Sequence, residues 1–127
     1  MKSKTIKFQV PTDCCMIANR HAVFLKYKKP FIKWEKKTNP WKDSDPAFNI
    51  DKAPGRISLF VKKENETEEE WLKKYFKFFF EEELLCWSTE KKDWPKKRTY
   101  QLFRRWFDIS FTPYIFDEDV KTPIKII

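Results

Sequence analysis

Gly55 is the only glycine in 127 residues. Loops that cradle phosphate need several glycines so that backbone amides can approach the ligand, so P-loop and dinucleotide-binding readings are excluded. Histidine is equally scarce, with His21 alone, and the three cysteines, Cys14, Cys15 and Cys86, are an odd number without zinc-ligand spacing. Reduced thiols are the expectation. The adjacent Cys14 and Cys15 lack the two-residue spacer of thioredoxin-like sites. A thiol nucleophile needs a nearby base. Cys15 with His21 is the one pairing on offer, and a lone histidine near a strand reads more simply as structural.

Long apolar runs are missing too. No uncharged stretch approaches the roughly 20 residues that cross a bilayer. The opening Met1-Lys2-Ser3-Lys4-Thr5 leads into Ile6-Lys7-Phe8 rather than into a signal-type apolar segment. The expected setting is cytoplasmic, away from membranes. In that setting Asn65-Glu66-Thr67, although it matches a glycosylation acceptor, carries no weight.

What the chain does have is rings: thirteen Phe and six Trp, with hydrophobic residues at 41%. Chains so rich in aromatics bury enough surface to offset ordering entropy, and this length suits one core. The net charge of +8 is unevenly spread. Residues 1–63 hold 15 Lys+Arg against 5 Asp+Glu, and residues 64–127 hold 12 against 14. The basic surplus therefore lies in the first half, where it favours acidic partners.

Ile6, Phe8 and Val10 alternate with Lys7 and Gln9 as in a half-buried strand. Ala22–Lys28 and Phe31–Lys36 read as two strands of a hairpin turning at Lys29-Pro30, because proline interrupts a helix. Residues 38–55 read as a long loop that either contacts a partner or is pinned down by Trp41, Phe48 and Ile50. Ile57 to Val61 is a further strand. Thr67-Glu68-Glu69-Glu70 is a capping box ahead of a helix to about residue 87, whose core face carries Leu72, Tyr75, Phe76, Phe79 and Cys86, widened by Trp71, Phe78 and Leu85, with Phe76 and Phe79 expected to be buried. Glu82 and Glu83 fall inside that apolar arc, so either they pair with basic residues or the helix ends earlier.

A second helix is expected over 95–107, opened by Pro95, with Tyr100, Phe103 and Phe107 at helical spacing. Alternation at Phe107, Ile109 and Phe111, and again at Ile124 and Ile126, predicts closing strands. The order of strands, two helices and strands defines an α+β class: one domain, 1–127, with a small antiparallel sheet packed against two consecutive helices. Strands are expected within 4–37, 56–62 and 107–127.

Trp87, Trp94-Pro95, Arg98, Phe103 and Trp106-Phe107-Asp108, following a Glu- and Phe-rich helix, resemble a pattern in short uncharacterised bacterial proteins. The resemblance covers the C-terminal half and implies no activity, cofactor or substrate.

Two carboxylate runs, Glu81-Glu82-Glu83 and Asp117-Glu118-Asp119, raise a nuclease-like metal site. Successive helix residues diverge by about 100°, so the first run does not converge on one ion, and the second reads as a solvated turn. No metal, cofactor or catalytic residue is assigned. The remaining candidate is the segment from Lys26 to Lys37, where six lysines interleave with Tyr27, Phe31 and Trp34. Lysines neutralise phosphates and exposed rings stack on unpaired bases, whereas the structural reading, which is favoured, is an edge hairpin whose lysines block aggregation while its rings pack inward. The expected function is non-enzymatic binding of an acidic macromolecule through Lys26, Lys28, Lys29, Lys33, Trp34, Lys36 and Lys37. Nucleic acid bound by the same surface is the alternative, ahead of a small hydrolase or nuclease. The two binding readings separate by ring exposure, since stacking needs exposed rings.

Overall fold

Strand β2 (His21–Tyr27) places Val23, Leu25 and Tyr27 on one face, and its β-branched and aromatic composition suits the centre of a sheet. A computed structural model describes residues 16–17, 19–41, 49–119 and 121–126. In it β2 pairs antiparallel with β3 (Arg56–Phe60) on one side and with β4 (Phe107–Thr112) on the other. The order β3-β2-β4 makes the lysine-bearing strand central rather than an edge. Met16–Ile17 (β1) and Phe116–Asp117 (β5) form a separate short antiparallel pair.

Gly55 stands where β3 begins, at φ 96°. A Cβ there would collide with the carbonyl oxygen of Leu25, so the one glycine sits where the chain needs both positive φ and close backbone approach.

Helices α1 (Lys29–Thr38), α2 (Glu68–Trp87) and α3 (Tyr100–Trp106) supply the second layer. The cross-strand register puts Val23, Leu25, Tyr27, Phe60, Phe107, Ile109 and Phe111 on the sheet face that meets them. Phe31 from α1, Phe80 from α2, Phe103 from α3 and Phe107 from β4 are all fully buried. Phe107 is the hub: its ring centroid lies 4.9 Å from Phe31, 5.5 Å from Phe80 and 5.1 Å from Phe103. These tilted and edge-on contacts join three helices to the sheet. The α+β class, with a small antiparallel sheet packed against helices, is as expected.

Several elements differ from the sequence reading. Phe31–Lys36 is not a strand, and there is no hairpin: the segment is helical from Lys29. Pro30 sits in the first turn, where its missing N–H costs nothing and its fixed φ favours the helix, so the residue taken as a breaker is an initiator. The helix expected over 95–107 begins only at Tyr100, capped by the Thr99 hydroxyl accepting from the Leu102 amide at 3.1 Å. Ile124 and Ile126 form no strand and are exposed. Within 38–55, Ile50 anchors a short 3-10 turn, Ile50–Lys52, while Trp41 is exposed. Phe48 and the expected strand at Ile6, Phe8 and Val10 lie outside the described residues.

The start of α2 is as expected. The Glu70 amide donates to the Thr67 hydroxyl at 3.1 Å, and the Thr67 amide donates to the Glu70 carboxylate at 2.9 Å. The latter bond, first, holds the Glu70 carboxyl below its ordinary value. The buried face is rotated from the one expected: Phe79 is buried, Phe76 only half-buried, Tyr75, Phe78, Leu85 and Cys86 are exposed, and Phe80 and Leu84 are fully enclosed. No described helix is long and apolar enough to cross a membrane.

Candidate functional site: a lysine-faced helix and a buried carboxylate

With 100° per residue, Lys29, Lys33, Lys36 and Lys37 fall within an arc of roughly 100° on α1, while Phe31, Ile32, Glu35 and Asn39 lie on the other side. Phe31, Glu35 and Asn39 are buried, and Lys29, Lys33 and Lys37 are exposed. The latter three are successive i, i+4 neighbours, so they form a row with a spacing of about 6 Å. No ion pair ties any of the three to a described residue. Lys36 is different, pairing with Asp51 at 2.6 Å.

The other expected partner-binding residues have separate roles. Lys28 donates to the Arg104 carbonyl at 3.1 Å, where a cation suits the negative end of α3. That bond places Lys28 at the C-terminal end of α3, the end that also carries the exposed Arg105. Lys26 lies on the outward sheet face with Asp108 as its cross-strand neighbour, an opposite-charge pair that offsets its field. Trp34 is half-buried: its indole N–H donates to the Asp93 carbonyl at 2.8 Å, and its ring packs at 5.2 Å on Phe31. Of the three interleaved rings, Phe31 is fully enclosed and Tyr27 and Trp34 pack against the core.

Beneath the sheet face is a polar cluster that the lysine pattern did not reveal. Tyr27 donates its hydroxyl to Glu83 Oε1 at 2.5 Å, and the Trp87 indole donates to the Tyr27 oxygen at 3.2 Å. Arg56 donates to Glu83 Oε2 at 2.9 Å and to Glu82 Oε1. Burial pushes the Glu83 carboxyl up, against the opposing pull of the Tyr27 hydroxyl and Arg56. Burial, with the neighbouring Glu83 carboxylate, also raises the Tyr27 phenol. The helix therefore continues through the two glutamates because Arg56 and Tyr27 satisfy them, the first of the two alternatives the sequence left open. The cluster pins α2 across β2 and β3, since its members come from all three elements.

The nucleophile and metal readings have little geometry behind them. His21 Nδ1 stands 3.6 Å from Glu68 Oε2, too far for a hydrogen bond, and Cys15 is outside the described residues. Cys86 is exposed, and partial burial pushes its thiol up, away from the thiolate a nucleophile requires. Glu81, Glu82 and Glu83 diverge to Arg98 and Arg56, and no group of three metal-ligating side chains converges among the described residues. Comparison of the chain with protein-family models, curated proteins and solved structures found no match.

Proposed function

We propose that this protein is a non-enzymatic binding or accessory protein, acting in the cytoplasm, that holds an acidic macromolecular partner against the outer face of α1. The observation that carries this reading is the row Lys29, Lys33 and Lys37, exposed and without an ion-pair partner among the described residues. Lys28 and Arg105 extend the positive field at the end of α3. Such a field attracts acidic surfaces and speeds their encounter.

An acidic protein fits this surface better than single-stranded nucleic acid. Stacking on bases requires open rings, and Phe31 is enclosed while Tyr27 and Trp34 are committed to internal hydrogen bonds. What remains exposed on the outer face of α1 is lysine, a point charge on a flexible stem.

The test is recovery of partners from the native cell with and without nuclease treatment, using wild type and the triple variant Lys29→Glu, Lys33→Glu, Lys37→Glu. The expected result is an acidic protein retained after nuclease, lost from the triple variant, and eluted by moderate salt. The triple variant should melt within about 0.5 kcal/mol per site of wild type, as surface substitutions do. Partner recovery at wild-type level by the folded triple variant overturns the reading, and recovery of nucleic acid alone replaces the protein partner with a polyanion.

A further inference from the structure

Helix α2 has two apolar faces, and among the described residues the sheet covers one of them and only the start of the other. Leu72, Phe80 and Leu84 are enclosed. Trp71, Tyr75, Phe78, Glu82 and Leu85 recur at alternating steps of four and three, the spacing of a helix-pairing seam. Trp71 stacks on Phe60 and Glu82 pairs with Arg56, so the seam runs along the β3 side of the molecule. Its middle and far end are open: Tyr75 is 48%, Phe78 58% and Leu85 50% exposed. Among the described residues β3 pairs only with β2. Its run Ile57-Ser58-Leu59-Phe60 lacks the lysine or proline that usually blunts an edge, and Ile57 and Leu59 are also exposed.

We propose that this side of the molecule joins two copies of the chain about a two-fold axis, with α2 packed antiparallel on α2 at Phe78 and β3 meeting β3 across the same axis. Charge decides the direction. Lys74 and Glu81 flank the seam seven residues apart. A two-fold at Phe78 sets Lys74 of one copy beside Glu81 and Glu82 of the other, twice over, and brings Trp71 opposite Leu85. A parallel pairing in register sets like beside like. Lys74 already pairs with Glu66 and Glu81 with Arg98, yet the two side chains remain 56% and 45% exposed, so they keep room for a second partner.

The two contacts also fit a single axis. Phe60 lies on Trp71 and Arg56 on Glu82, so β3 runs antiparallel to α2 and Ser58 falls beside the middle of the seam. Tyr27 of β2 and Arg56 of β3 both hold Glu83, which seats α2 near the boundary between those strands. With strands about 4.8 Å apart, that boundary is about 5 Å from an axis running beside β3. Two helices so placed stand about 10 Å apart, the distance at which helices pack.

Sedimentation equilibrium of the full chain tests this. The expected result is a dissociable species of twice 15.6 kDa, returned to one copy by Phe78→Glu with native circular dichroism retained. Lys74→Glu and Glu81→Lys should each weaken association several-fold, and the double variant should restore it, a readout that does not depend on Phe78. The α1 lysine triple variant should leave the mass unchanged, which separates this inference from the proposed partner site. A single-copy mass up to millimolar concentration overturns the proposal, as does a dimer that survives Phe78→Glu or a charge-swapped pair that fails to recover.

Discussion

Helices α1 and α2 are both amphipathic, yet they distribute charge and rings in opposite ways. On α1 the rings turn inward and the lysines outward, so the helix is finished as a surface and offers only electrostatics. On α2 a glutamate is buried while Tyr75, Phe78 and Leu85 stand in solvent. The buried carboxylate needs Tyr27 and Arg56 to be tolerated, because an unpaired charge removed from water is strongly unfavourable. Among the described residues the ring contacts of Tyr75 and Phe78 are with Trp71 and Phe79 of the same helix. A helix with its charge outside reads as a docking surface for a polar partner, whereas one with rings outside reads as half of an interface.

Paired truncations of rings give the largest effect. Phe31→Ala and Phe80→Ala should each cost about 3–5 kcal/mol through transfer loss and cavity formation. Phe78→Ala, measured where the chain is a single copy, should cost no more than about 0.5 kcal/mol. Urea melts showing comparable losses for Phe78 and Phe80 would erase the distinction between the two faces of α2.

A smaller effect tests how α2 starts. Replacing Thr67 by Ala removes a hydroxyl that accepts from the Glu70 amide and should cost about 1 kcal/mol by thermal or urea unfolding. An unchanged stability would mean that the acidic first turn alone is sufficient to begin the helix.

The smallest expected effect is a change of slope. Burial raises the Glu83 carboxyl, so the folded state binds a proton more readily than the unfolded one. Stability from this group is present below the ordinary glutamate value and is lost as pH rises through the raised one. Glu70 acts in the opposite direction, its depressed carboxyl stabilising above the ordinary value. Glu83→Gln leaves Glu70 untouched, so the difference between wild type and variant isolates Glu83. As pH rises from the ordinary glutamate value through the raised one, wild type should lose stability relative to the variant. A relative gain would mean that Arg56 and Tyr27 outweigh burial.

The start of α2 was legible because a capping box is local: Thr67, Glu70 and an acidic turn all lie within four residues. Pro30 was equally local but ambiguous, since proline both ends and begins helices, and only the packing of Phe31 onto Phe107 distinguishes the two. Thr99 was a cap hidden by the stronger signal of Pro95. The buried face of α2 was misjudged because its rings occur at nearly every angle, so periodicity alone left Phe80 unassigned. The lysine row was visible as composition, but its geometry required the helix. Tyr27 and Glu83 stand 56 positions apart, and no local pattern links them.

Strand β2 is central, and its two neighbours reach it at very different times during synthesis. Leu25 pairs with Arg56, 31 residues on, but its other partner, Ile109, is synthesised 84 residues after it. Phe107, the ring on which three helices converge, is just as late. A nascent chain stopped before that point has no hub for its core and leaves one flank of β2 unpaired, so folding awaits the synthesis of β4.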